Sequence, residues 1–259
     1  TIPQLHRQNL ALAKNRMKTL DYCRRFFATL FGFILFGVAG VLFKIALLPY
    51  TLKSTKGDIP RQLAARRMIG RVWRFFVGYL QWSGVLSVRF NGLEKLGRPG
   101  QLVLANHPSL LDVVLMVSHF PDPNVLVKKD LLNNPSMKSQ IIASGYIPND
   151  ESMEMLEEID AVFKSGQSML IFPEGTRIKP GERGRYKMGA AKMAKLFEMD
   201  MVPVAHNSGE FWPRNSFLKY PGTVSVIIGK PIAYNNGNEA ELMAQCEQWI
   251  ESQQPLITG

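Results

Sequence analysis

The chain has 259 residues, 46% of them hydrophobic, with a formal net charge of +10 and an isoelectric point near 9.7. That length holds one sizeable α/β domain plus an appendage, and the positive balance calls for an acidic partner: nucleic acid, an anionic membrane face or a phosphate-bearing substrate. The two cysteines, Cys23 and Cys246, form no Cys-x-x-Cys pair, which argues against a disulfide framework or thiolate metal site and fits a reducing compartment.

Leu5 to Arg25 scatters arginine and lysine among apolar residues and reads as a basic amphipathic helix. Phe26 to Phe43 then carries no charge at all, and the apolar character resumes after Lys44 through Leu48. A run of this length reaches the lower limit for a helix that crosses a bilayer. Basic residues lie on both sides of it, so no inside–outside asymmetry orients it. Arg61 to Leu86 next mixes arginines with Trp73, Phe75, Phe76, Tyr79 and Trp82, a composition suited to a helix in the headgroup region. The expectation is a two-helix anchor that enters one leaflet and returns, with a single span as its competitor. The same basic-aromatic mix could be read as a nucleic-acid stripe, but its place directly after a lipid-grade segment argues for no nucleic acid.

Residues 1–86 are therefore expected to form membrane-anchoring helices and residues 87–259 the α/β domain. Val88–Phe90 alternates as a strand before the turn signal Asn91-Gly92. Leu102–Ala105, Val125–Val127, Met169–Phe172, Met201–Ala205 and Thr223–Ile228 read as further strands, and Gly145–Pro148 as a short extended piece. Helices are expected over Ser109–Phe120, from Met153 to Gly166, over Lys187–Met199 and over Glu239–Ser252, with a broken helical region around Pro135–Ala143. Strands alternating with helices predict an α/β fold, a mixed β-sheet flanked by helices.

Two stretches carry chemistry. In the first, Asn106-His107-Pro108-Ser109-Leu110-Leu111-Asp112, a strand runs into His-x4-Asp. Asp112, one turn into a helix, can accept from one nitrogen of His107 and leave the other free to take a proton from an alcohol. The same two residues would also serve as a strand-end histidine and a helix cap, so the pair does not settle its role alone. Ser109 has no Gly-x-Ser-x-Gly elbow and suits a helix N-cap better than a nucleophile. His107, His119 and His206 lack metal-ligand spacing, no phosphate-binding or dinucleotide glycine loop occurs, and no metal or cofactor is expected. In the second stretch, Phe172-Pro173-Glu174-Gly175-Thr176-Arg177, a strand meets a glycine-bearing turn whose amides can face an anion and whose arginine can grip phosphate or carboxylate. Base, anion-binding turn and lipid anchor together describe a reaction between a hydroxyl and an acyl group at a membrane surface.

These blocks resemble those of the glycerolipid acyltransferases typified by the lysophosphatidic acid acyltransferases. Asn106 to Asp112 is similar to the family's first block, Phe172 to Arg177 to its third and Val202 to Ala205 to its fourth, and Lys187 and Gly189 match its Lys-x-Gly. The resemblance covers about Leu86 to Pro231. It implies direct transfer of a fatty acyl group from acyl-carrier protein or coenzyme A, as co-substrate, to a lyso-lipid hydroxyl. His107 would be general base, Asp112 its orienting partner, backbone amides the oxyanion donors, and Glu174, Gly175, Thr176, Arg177 and Lys187 the acceptor-binding residues. One departure stands out: the second block usually ends in arginine, whereas Gly145 to Glu151 here has none and carries Asp150 and Glu151. A phosphate there would be repelled unless Arg177, Lys128 or Lys129 compensates. The acceptor then either bears phosphate or is phosphate-free, such as a lyso-aminolipid; a non-catalytic lipid-binding scaffold and a thioesterase are the readings outside acyl transfer. The expected location is the cytoplasmic face of a bacterial inner membrane, with membrane lipids as partners.

Overall fold

The chain is described from a computed structural model, which covers residues 19–46, 58–120, 122–134, 137–213, 216–217 and 219–257. The expected amphipathic helix from Leu5 lies mostly outside these residues. Its last part, from Thr19, continues without a break into the apolar stretch as helix α1 (Thr19–Ala46), followed by α2 (Ile59–Trp82).

Three apolar runs make the middle of the sheet: β2 (Leu102–Ala105), β5 (Met169–Ile171) and β6 (Met201–His206). Every residue in them is buried, as expected for parallel strands covered on both faces. With β1 (Ser87–Asn91), β3 (Asn124–Lys128), β4 (Ile147–Asn149) and β7 (Thr223–Ile228), the described residues form one sheet in the order β1-β7-β6-β2-β5-β3-β4. All neighbours are parallel except β6 and β7, so β1 and β7 run against the other strands and the sheet is mixed.

Alternation along the strands splits the core into two layers. Val103, Ala105, Leu170, Val202 and Val204 face α1, α2, α3 (Leu111–His119) and α4 (Lys138–Ser144). Leu102, Leu104, Met169, Ile171 and Met201 face α5 (Met153–Lys164), α6 (Gly189–Leu196) and α8 (Glu239–Gln253). A single turn of helix, α7 (Ser208–Phe211), follows β6 directly.

The two N-terminal helices, expected as a two-helix anchor, present different surfaces. Among the described residues, α1 contains the one helix long and apolar enough to cross a membrane, Asp21–Ile45, with a mean hydropathy of 2.4. Phe27, Phe31, Ile34, Val41 and Leu42 stand exposed along it, while Ala39 and Phe43 turn into the core. Helix α2 instead packs inward: Ile69, Trp73, Phe76, Val77 and Leu80 are buried, and only Phe75 and Trp82 among its large apolar residues are strongly exposed. Arg66, expected near headgroups, is also inside. Its Nε donates to Ser144 O at 2.7 Å and its Nη1 to Gln167 Oε1 at 2.5 Å, and burial lowers its pKa to about 10. Trp73, Phe76 and Arg66 thus serve packing, while Arg61, Arg67, Arg71 and Arg74 remain on the exposed side of α2.

Candidate active site

The parallel strands end on one side of the sheet, where α/β folds place their sites. Past the end of β2, the Asn106 side chain ties that strand to β6. Its Nδ2 donates to His206 O and its Oδ1 accepts from His206 N, both at 2.9 Å. Pro108 and Ser109 then turn the chain into α3, whose first turn carries Asp112, wholly buried.

His107 Nδ1 lies 2.9 Å from Asp112 Oδ2, and the Ser109 amide donates to the same oxygen at 2.8 Å. The hydroxyls of Ser109 and Ser208 both bond to Oδ1. Burial pushes the Asp112 carboxyl up, but the His206 and His107 rings and the hydrogen bonds from His107 and Ser109 outweigh it and hold the group below the usual carboxylate range. Ionised Asp112 therefore favours the His107 tautomer with its proton on Nδ1, which leaves Nε2 unprotonated and able to act as a base.

The expected Ser109 N-cap needs correction. The helix starts at Leu111, its capping position is Leu110, and no side chain caps it in the usual way. The Ser109 hydroxyl accepts from Leu111 N at 2.9 Å, one residue early, and turns its own proton toward Asp112.

The second block meets the first at His107. Gly175 N donates to Phe172 O at 3.0 Å to close a tight turn, with Gly175 at φ 64°, a left-handed conformation that glycine adopts without strain. That turn places Glu174 Oε2 2.7 Å from the His107 amide, while Ile178 N donates to His107 O at 3.0 Å. The Phe172 ring lies against the imidazole with centroids 4.5 Å apart. Burial, partly offset by the bond from the His107 amide and reinforced by Asp112 and Glu251, pushes Glu174 up to about 8. The Gly175 amide, expected to face an anion, is committed to its own turn.

Of the other expected binding residues, Thr176 is exposed and Arg177 half-buried and already engaged by the protein. Lys187 is anchored by its amide, which donates to Pro173 O at 2.9 Å, and its side chain crosses Gly175 so closely that a Cβ there would lie 3.1 Å from Cε and Nζ. Asp150, the carboxylate that replaces the usual second-block arginine region, pairs with Lys129 Nζ at 3.3 Å.

Asn106, His206 and Ser208 were not singled out as site residues in the sequence. Their only signal there is position, since His206 to Ser208 directly follow the fourth block. A cavity of about 650 Å³ beside the site is lined by Pro108, Glu174, Ile178, His206 and Ile257 among others. A smaller one of about 270 Å³ is lined by Leu110 of the first block, Phe33 of α1, Trp212 and Lys219. Among the described residues no three histidine, cysteine or acidic side chains converge as a metal cage.

The Acyltransferase family model matches residues 87–207. The chain is 29% identical over 198 residues to a 1-acyl-sn-glycerol-3-phosphate acyltransferase of Pseudomonas aeruginosa, covering 72% of this chain and 77% of that protein. Together these matches support a place for the chain in the glycerolipid acyltransferase family. It is also 29% identical to a chloroplastic 1-acyl-sn-glycerol-3-phosphate acyltransferase of Arabidopsis thaliana, over 67% of this chain but only 51% of that protein. The crystal structure of the 1-acyl-sn-glycerophosphate acyltransferase of Thermotoga maritima shares the fold, with a TM-score of 0.74 over 92% of this chain and 98% of that one at 20% identity. These relatives support an O-acyltransferase of lipid metabolism, and α1, with its exposed apolar face, has the length and composition of a membrane-crossing helix.

Proposed function

We propose that the chain is a membrane-bound 1-acylglycerol-3-phosphate O-acyltransferase that moves a fatty acyl group from an acyl thioester to the free hydroxyl of a lyso-phospholipid. The observation that carries this reading is the 2.9 Å bond from His107 Nδ1 to a buried Asp112 that is itself held by further donors. His107 Nε2 takes the proton of the acceptor hydroxyl as its oxygen attacks the thioester carbonyl. A C–O bond forms, the tetrahedral intermediate collapses with cleavage of the C–S bond, and the proton passes from His107 to the departing thiolate. No acyl-enzyme is needed, and Ser109 is unsuited to forming one: it is fully buried and its hydroxyl is spent on Asp112. The donor, acyl-carrier protein or coenzyme A, supplies the leaving group, and the reaction calls for no resident cofactor or metal.

A phosphate-bearing acceptor is favoured over a phosphate-free one. Lys187 Nζ lies over the Gly175 turn without an ion-pair partner among the described residues, Arg177 is nearby in sequence, and Lys129 neutralises Asp150. The names of the relatives point the same way. The cytoplasmic face of a bacterial inner membrane is the setting this reading requires, and the free thiols of Cys23 and Cys246 are compatible with it. The test is an acceptor panel with and without phosphate, offered with acyl-carrier-protein and coenzyme A thioesters and read by mass spectrometry. Acylation of the phosphate-bearing lyso-lipids is expected; preference for phosphate-free acceptors would overturn the acceptor assignment, and free fatty acid without acylated lipid would overturn transfer itself.

A further inference from the structure

Asp112 is held by donors of two origins. The His107 ring, the Ser109 amide and the Ser109 hydroxyl belong to its own turn, within five residues. The Ser208 hydroxyl comes from 96 residues away, at the start of α7. A donor so distant in sequence is fixed only if the strand ends that carry it are fixed, and the paired 2.9 Å bonds between Asn106 and His206 do this by locking the end of β6 to the end of β2. The Ser208 and Ser109 oxygens also lie 2.8 Å apart, but with each hydroxyl's single proton given to Oδ1 this approach is a contact and not a further hydrogen bond.

The imidazole of His206 closes the remaining side. It is fully buried, its Nδ1 is 4.0 Å from Asp112 Oδ1, and neither ring nitrogen has a hydrogen-bond partner. Burial lowers its pKa although the Asp112 carboxylate pulls the other way. With His206 at 4.0 Å, the donors to Oδ1 among the described residues are the two serines, and Ser208 is the one that the local turn does not supply.

We propose that Ser208 is a positioning residue for acyl transfer: it fixes the rotation of the Asp112 carboxylate and thereby the orientation and basicity of His107. The inference rests on the base assignment to His107. Without the Ser208 hydroxyl, and with only the donors of its own turn left, Asp112 is less restricted in its rotation about the Cβ–Cγ bond, and its oxygens share less of their charge with donors. The first change lowers the fraction of His107 rings in productive geometry; the second strengthens the pull of Asp112 on the imidazolium. The titratable groups facing Asp112 are His107, His206 and, from the β5 turn, Glu174, and none of them replaces a hydroxyl on Oδ1.

The test compares wild type, Ser208→Ala, Ser208→Thr and His107→Ala in membranes, with a labelled acyl thioester and lyso-phosphatidate. Ser208→Ala is expected to lower kcat roughly 10- to 100-fold with KM little changed, the scale of a small misplacement in an active site. The acid limb of its rate profile moves to higher pH. Ser208→Thr, which keeps the hydroxyl, restores the wild-type profile; if its added methyl prevents folding, the Ser208→Ala profile decides. A Ser208→Ala enzyme with wild-type kcat and an unmoved acid limb overturns the inference while His107→Ala remains inactive. Should His107→Ala itself turn over at the wild-type rate, the base assignment falls and the inference with it.

Discussion

Two regions of the molecule break the ordinary rule of burial in opposite directions. Along α1, Phe27, Phe31, Ile34, Val41 and Leu42 are large, apolar and exposed. At the ends of β2 and β6, Asp112, Ser109, His206 and Ser208 are polar and fully buried. An exposed apolar helix is stable where its surroundings are themselves apolar, so the first exception points outward to lipid. A buried carboxylate is tolerated only when fixed donors replace its water, so the second points inward to a preorganised site. The two are neighbours: Phe33 of α1 and Leu110 of the His107 turn line the same small cavity. A lipid lying against α1 is therefore next to the turn that holds the proposed base.

The comparison is tested most severely by His107→Ala. If the buried polar cluster exists to serve that imidazole, the variant loses acyl transfer by about 10²- to 10⁴-fold, the usual weight of a general base, while folding and membrane binding persist. Turnover within a few-fold of wild type would mean that the cluster is structural. The opposite region is tested by Phe31→Glu, Ile34→Glu and Val38→Glu together, all at exposed positions of α1 and apart from the core residues Ala39 and Phe43. Each charge costs about 2.5–3.5 kcal/mol in the middle of a membrane helix, so flotation with liposomes should be abolished while circular dichroism of the α/β domain is retained. Undiminished flotation would show that α1 is not the membrane contact.

A smaller effect separates substrate binding from chemistry within the site. Lys187→Ala removes the ammonium that crosses Gly175. The expected result is a rise of about tenfold in KM for a phosphate-bearing acceptor, about 1.4 kcal/mol, with kcat held. An equal rise for a phosphate-free acceptor would show that the lysine shapes the turn rather than binding phosphate.

Much of this is legible in the sequence. The strands are, because β2, β5 and β6 are unbroken apolar runs that end in polar residues, and Thr223 to Ile228 matches β7 at both ends. The approach of His107 to Asp112 is too, since a loop-to-helix junction allows only a short separation over five residues. The environment of α2 is not. Trp73, Phe76 and Arg66 have the composition of a headgroup belt, and a protein interior is as dry and apolar as a bilayer, so residue types alone cannot tell one from the other. Ser208 is illegible for another reason. Its contact with Asp112 exists because β6 lies beside β2, and strand order is a long-range property that no local pattern around Ser208 encodes.

The smallest effect expected is at Glu174, a buried carboxyl of the polar region. Burial pushes this carboxyl from its ordinary 4.5 up to about 8, so near neutral pH it is held largely as the neutral acid, with one oxygen accepting from the His107 amide. The folded protein then keeps a proton that the unfolded chain has released. Stability from this group is therefore greatest below about 4.5 and falls as pH rises toward about 8, the reverse of an ordinary ion-paired carboxylate. Glutamine keeps the accepting oxygen and cannot titrate. Glu174→Gln should consequently melt no lower than wild type at pH 8, show a flatter dependence of Tm on pH between about 4.5 and 8, and keep activity at neutral pH within about threefold. Glu174→Ala, which leaves the His107 amide unpaired, should lose both stability and rate. If Glu174→Gln instead fails as badly as Glu174→Ala, the ionised carboxylate is what the site uses, and burial at this turn serves a charge rather than a hydrogen bond.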